Sequence, residues 1–237
     1  MEMGHTALTA SPSLRVSLKR GLARQVIGAA ERDAADLPTL FRMAAELRPN
    51  AKSADRVAAR IKTRPGVARV AMNADHKGIT IVARAVREVE ARVQGETVFH
   101  ETGLIYLRAI VRFCVSGIGF QLSAASFCRH AIERLVERSD ASIETAVLPH
   151  IDTEALAIFR GWDRATLIAE AGDEFYPAEA PGVWAGGHDR MAIDPDWGLS
   201  NTSGGLPLFS VRTFLSETEM RPTVWLRWKN DPHCRMV

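Results

Sequence analysis

The sequence predicts an α+β protein: a helix-rich N-terminal region followed by a strand–helix–antiparallel sheet module. Three observations lead there. Residues 14–62 repeat apolar positions at helical spacing between Pro and Asn punctuation. Residues 104–115 alternate apolar and polar. Two late runs, "GVWAGGHDRMAI" and "LPLFSVRTFL", are rich in strand formers. Helices grouped ahead of sheet-forming runs are the mark of the α+β class. The division expected is a basic, mainly helical region over 1–100 and an α+β module over 101–237.

In chain order, Leu14, Leu18, Leu22 and Val26 recur every fourth residue and predict a helix over 14–34 with that stripe turned to the core. "DLP" at 36–38 interrupts it and starts a second helix that runs to about 47. "RPNAKSAD" is a turn, and Ser53 is the expected cap of a third helix ending near 62. "VARVAM" alternates like a strand, "GITIV" is β-branched, and "ADHKG" is the expected turn between them. Ala85–Val93 suits a helix as well as a strand.

From Leu104 the alternation is clear. Ile105, Leu107, Ala109, Val111, Phe113 and Val115 share one parity, and Tyr106, Arg108 and Arg112 the other. That predicts a strand with one buried and one mixed, basic face. "SGIG" turns it and "FQLSAA" returns as a hairpin partner. A helix then starts at Ser126, its expected N-cap, and runs to Arg138. "DASIETAVLPHIDTEALAIFRGWDRATLIA" reads as further helix, broken near Pro149. The loop "DPDWGLSNTSGG" separates the last two strand-like runs. Trp225 and Trp228, three apart, sit at helical spacing and suit a core better than a base-stacking platform.

Bulk properties narrow the function classes. Residues 1–100 hold 17 Lys and Arg against 10 Asp and Glu, whereas 101–237 hold 13 against 18. A basic first region invites nucleic-acid or acidic partners, although its charges are spread along helices. Cys114, Cys128 and Cys234 match no zinc spacing, and reduced thiols are expected. No apolar run is long enough to span a membrane and no secretory h-region opens the chain, so a cytoplasmic protein with no membrane partner is expected. No cofactor or metal is expected. The Gly-rich pieces match neither a Walker A loop nor a dinucleotide fingerprint, and no nucleophile elbow occurs. His188 and Asp189, in the expected turn "GGHDR", lack partners for a metal or a triad.

The stretch "SFCRHAIERLVERSD" carries the functional candidates. At about 100° per residue, His130, Arg134 and Arg138 fall at about 0°, 40° and 80°, one lengthwise stripe. Ala131, Ile132, Leu135 and Val136 make the core face, so the stripe runs along the border between core and solvent. Arginines there bury their stems and present guanidiniums at a groove edge. The first turn also favours an anion. The same residues equally suit a solvated face in which Glu133 and Glu137 pair with Arg134 and Arg138.

"RHAIERLVER" resembles the His- and Arg-bearing helix of small RelE-like toxin nucleases, which have the barnase–EndoU–colicin–RelE fold. The likeness covers ten residues and a loose element order. The chain reads "RSDASIE" where that group continues "R-G-I-S". The resemblance implies metal-independent cleavage of RNA, with His130 as base or acid and Arg134 and Arg138 clamping the phosphate. It also implies a neutralising protein partner, and it offers Arg212 and Thr213 of "FSVRTFL" as further groove residues. Thr213 shares the parity of Phe209, Val211 and Leu215, so only one of the two faces a given groove. Three readings stay open: an RNA-cleaving enzyme, a non-catalytic nucleic-acid-binding or regulatory protein, and a structural or partner-binding protein.

Overall fold

The computed structural model describes residues 11–73, 78–93, 96–115, 117–164, 168–170, 172–197, 199 and 205–231; of 89–93 and 96–100 it describes the backbone. The chain is α+β. Helices α1 (Pro12–Arg32), α2 (Leu37–Ala44) and α3 (Ala51–Lys62) precede strands β1 (Val67–Met72), β2 (Ile79–Val93), β3 (Glu96–Cys114) and β4 (Gly117–Phe127). Then come α4 (Arg129–Arg138), α5 (Leu148–Asp163), β5 (Ile168–Glu170), β6 (Asp173–Pro177), β7 (Gly182–Met191), β8 (Leu206–Ser216) and α6 (Pro222–Asn230). The strands join in the order β1-β2-β3-β4-β8-β7-β6-β5.

The sheet is mixed, not antiparallel throughout: β4 runs parallel to β8, with Ala124–Phe127 in register with Leu208–Val211. Parallel neighbours need a long crossover, and α4, α5 and β5–β7 lie between these two strands in the chain. The N-terminal region is helical only to Lys62; β1 and β2 follow, and residue 100 lies inside β3. Ala85–Val93 is strand: it continues the β-branched run Ile79–Val82 and pairs with β3 from Ile105 to Glu96.

Two compact units divide the chain. The first comprises Ile27–Arg129 and Gly186–Val211. Its core gathers Leu40, Phe41 and Met43 of α2, Val57 and Ile61 of α3, Ile79 and Ile81 of β2, and Leu107 and Val111 of β3. Asp36 caps α2 by accepting from the Thr39 amide, with Pro38 in the first turn where its missing N–H costs nothing. The cap of α3 is Asn50, not Ser53: Asn50 Oδ1 accepts from the Ser53 amide, while Ser53 Oγ accepts from Arg48. Gly66 has φ of 71°, and a Cβ there would run into the Ala35 backbone; the same turn binds Arg84, whose own carbonyl accepts from Ala35. Over residues 103–109 both faces of β3 are buried, while Arg112 is exposed: Tyr106 is fully enclosed and Arg108 donates Nε to Ser123 Oγ at 2.9 Å.

The second unit comprises the chain up to Val26, His130–Ala185 and Arg212–Val237. Ile168, Phe175, Val183, Ala185, Met220, Val224 and Trp228 form its apolar cluster. In α1 the expected stripe holds only in part: Val26 is buried and Leu22 partly so, but Leu14 and Leu18 are exposed, and Arg15 and Ala23 turn inward instead. Arg15 holds its inward position by donating to the carbonyls of Val136 and Ala141 at 3.2 and 3.0 Å. Pro149 opens α5 instead of breaking it, because a first-turn proline gives up no helical bond. From α5, buried Glu154 accepts from the amides of Glu179 and Ala180 and from Trp184 Nε1 at 2.9–3.0 Å. Burial pushes its carboxyl up to about 7, against the pull of those donors. Trp228 is buried in α6, and Trp225 donates Nε1 to Glu217.

Candidate functional site

Helix α4 follows directly on β4. Ser126 is a buried residue of β4, opposite Ile105 and Ser210, so it does not cap the helix. The sheet ladder already occupies its backbone, and the chain turns only at Cys128. Ala131, Ile132, Leu135 and Val136 are buried, each large one contributing about 1.5–3 kcal/mol relative to exposure. That face fixes the helix rotation and leaves His130, Arg134 and Arg138 along one border.

Burial deepens along this border. His130 is exposed, the Arg134 side chain is 30% exposed and that of Arg138 19%. Arg134 donates Nε to His130 Nε2 at 3.3 Å and Nη1 to Glu137 Oε2 at 2.6 Å. In this contact Nε2 is the acceptor, the role it plays in a neutral imidazole. Glu137 also takes Lys19 Nζ at 2.9 Å. Burial opposes its charge, but hydrogen bonds from Lys19 and Arg134 outweigh that and hold the carboxyl below its ordinary value. His130, Arg134, Glu137 and Lys19 therefore form one polar chain.

Arg138 is committed elsewhere. It donates Nη1 to the Phe214 carbonyl at 2.7 Å, and its Nη2 lies 2.8 Å from Glu219 Oε1. Burial lowers its pKa, with Glu219 opposing. Thr213 is half-buried, and its hydroxyl faces the same Phe214 carbonyl at 3.5 Å. Arg212 is exposed and donates to Asp173 at 3.1 Å. The five predicted residues thus separate into a His130–Arg134 pair, Arg138 and Thr213 around one carbonyl, and Arg212 bound to β6.

Beside the C-terminal turn of α4 lies a cleft of about 360 Å³ lined by Ser11, Pro12, Arg15, Glu137, Arg138, Ser139 and Asp140. Sequence reasoning missed Arg15 in this cleft and Lys19 on Glu137, because both sit inside an apolar repeat that reads as packing alone. His188 and Asp189 are exposed residues of β7, not of a turn, and the His188 ring lies 5.3 Å from that of Phe209. Among the described residues no group of three or more His, Cys, Asp or Glu is arranged to hold a metal. Cys234 lies outside the described residues, and no described helix is long and apolar enough to cross a membrane. No family model, curated protein or solved structure matches the chain.

Proposed function

We propose that His130 and Arg134 cleave RNA without a metal. The observation that carries this reading is the Arg134 Nε to His130 Nε2 contact at an exposed helix start. At 3.3 Å the bond is long, so a substrate hydroxyl competes for Nε2 while the guanidinium transfers to a phosphate oxygen. The ribose 2′-hydroxyl gives its proton to Nε2 and its oxygen attacks the neighbouring phosphorus. The P–O5′ bond breaks, the departing oxygen takes a proton from water, and a 2′,3′-cyclic phosphate remains. Arg134 neutralises the charge that builds on the pentacoordinate phosphorus. Glu137 and Lys19 hold Arg134 in place. No step in this scheme is assigned to Arg138, Arg212 or Thr213, which bond to Phe214, Glu219 and Asp173 instead.

A second reading has its own support. Arg134, Arg138 and Arg212 each have a carboxylate partner, in Glu137, Glu219 and Asp173. A stripe neutralised in this way suits a structural or partner-binding surface. Labelled RNA incubated with the protein in EDTA separates the two: cleavage supports the first, and neither cleavage nor binding supports the second.

A further inference from the structure

The hairpin of β2 and β3 outruns the rest of the sheet. The strands stay paired from Ile79 opposite Val111 to Val93 opposite Glu96. On the outer sides, β1 accompanies β2 only over Ile79–Ala83, and β4 accompanies β3 only over Leu104–Cys114. Residues 84–93 and 96–103 therefore form a two-stranded ribbon that extends for about 30 Å at ~3.4 Å per residue. Its base is anchored: Arg84 pairs with Asp33, and Arg87 pairs with Asp194 at 2.9 Å and lies over the Trp197 ring. Past that base no third strand pairs with the ribbon among the described residues, and a two-stranded ribbon is marginal in water.

Its charge indicates what covers it. Residues 1–87 contain 16 Lys and Arg against 7 Asp and Glu, but 88–101 contain four glutamates and one arginine. Glu88 is exposed, and among the described residues Glu101 Oε1 is shielded from solvent yet accepts no hydrogen bond. An acidic ribbon is repelled by nucleic-acid phosphates and attracted by cations. The outer face of α3 supplies them: Lys52, Arg56 and Lys62, exposed together with Asp55, make no ion pair among the described residues, while Arg60 pairs with Glu46.

We infer that the β2–β3 ribbon is a docking arm whose occupant is a second copy of this chain, received on the basic outer face of α3. Because each copy has one arm and one receiving face, reciprocal docking closes a two-fold dimer. The inference is independent of the RNA-cleavage reading.

Sedimentation velocity on the full chain tests it at micromolar concentration. The wild type is expected to be a dimer that dissociates as salt rises. Reversing the arm (Glu88→Lys, Glu90→Lys, Glu96→Lys) or the face (Lys52→Glu, Arg56→Glu) is expected to give folded monomers, checked by circular dichroism. An equimolar mixture of the two reversed proteins recovers dimers, since each arm then meets an opposite charge. The milder Glu88→Gln, Glu90→Gln, Glu96→Gln variant, expected to weaken the dimer, serves if the reversal misfolds. A wild-type monomer, a dimer indifferent to both reversals, or no recovery on mixing overturns the inference. So does an arm variant that changes RNA binding in a monomeric protein.

Discussion

Arg138 donates Nη1 to the Phe214 carbonyl at 2.7 Å, tying the last turn of α4 to the end of β8. The same guanidinium also pairs with Glu219. An arginine that satisfies a strand carbonyl and a carboxylate is a joint of the fold before it is a ligand for phosphate.

Replacing Arg138 by Ala leaves the carbonyl of buried Phe214, and Glu219 at the surface, without this donor. The expected loss is about 1–3 kcal/mol of stability, read as a lower urea midpoint with an unchanged slope. A midpoint equal to the wild type would show that the contact carries no load.

Glu137 sets an acid limit. Lys19 and Arg134 hold its folded pKa below the unfolded value of about 4.5, so its contribution is present above that value. It is lost as the pH falls through the lower, folded value. The Glu137→Gln variant should therefore show a shallower fall in stability below pH 4.5, and equal acid limbs would count against the pairing.

Glu154 has the opposite sign. Its folded value, about 7, lies above the unfolded value of 4.5, so folding takes up a proton. The associated stabilisation is full below about 4.5 and is lost as pH rises through about 7. Unfolding free energies measured across that range should decline for the wild type relative to Glu154→Gln. The variant bears a pH-independent cost, because its amide nitrogen faces an N–H donor. Parallel pH profiles would refute the titration.

Local patterns made much of this fold legible. The strand over residues 105–113 and the core face of α4 follow from sequence periodicity, and the helix start at Asp36 and Pro38 from cap chemistry. What misled was context. Leu14 and Leu18 repeat like a core stripe, yet Arg15 takes the inward position because two carbonyls across the unit receive it. Ser126 has cap chemistry, but the ladders to β3 and β8 claim its backbone first. The parallel partnership of β4 and β8 joins residues more than 80 apart, beyond any local signal. The His130–Arg134 contact was foreseeable from their spacing of four; the diversion of Arg138 and Arg212 to Phe214 and Asp173 was not, since it needs tertiary neighbours.

The central claim is that the His130–Arg134 pair does chemistry on RNA. Its most direct measurement is the initial rate of cleavage of end-labelled RNA in EDTA by wild type, His130→Ala and Arg134→Ala proteins. Cleavage by the wild type to cyclic-phosphate ends is predicted, with each substitution lowering the rate about 10²–10⁴-fold while circular dichroism is unchanged. No cleavage by the wild type, or equal rates in all three proteins, would contradict the account.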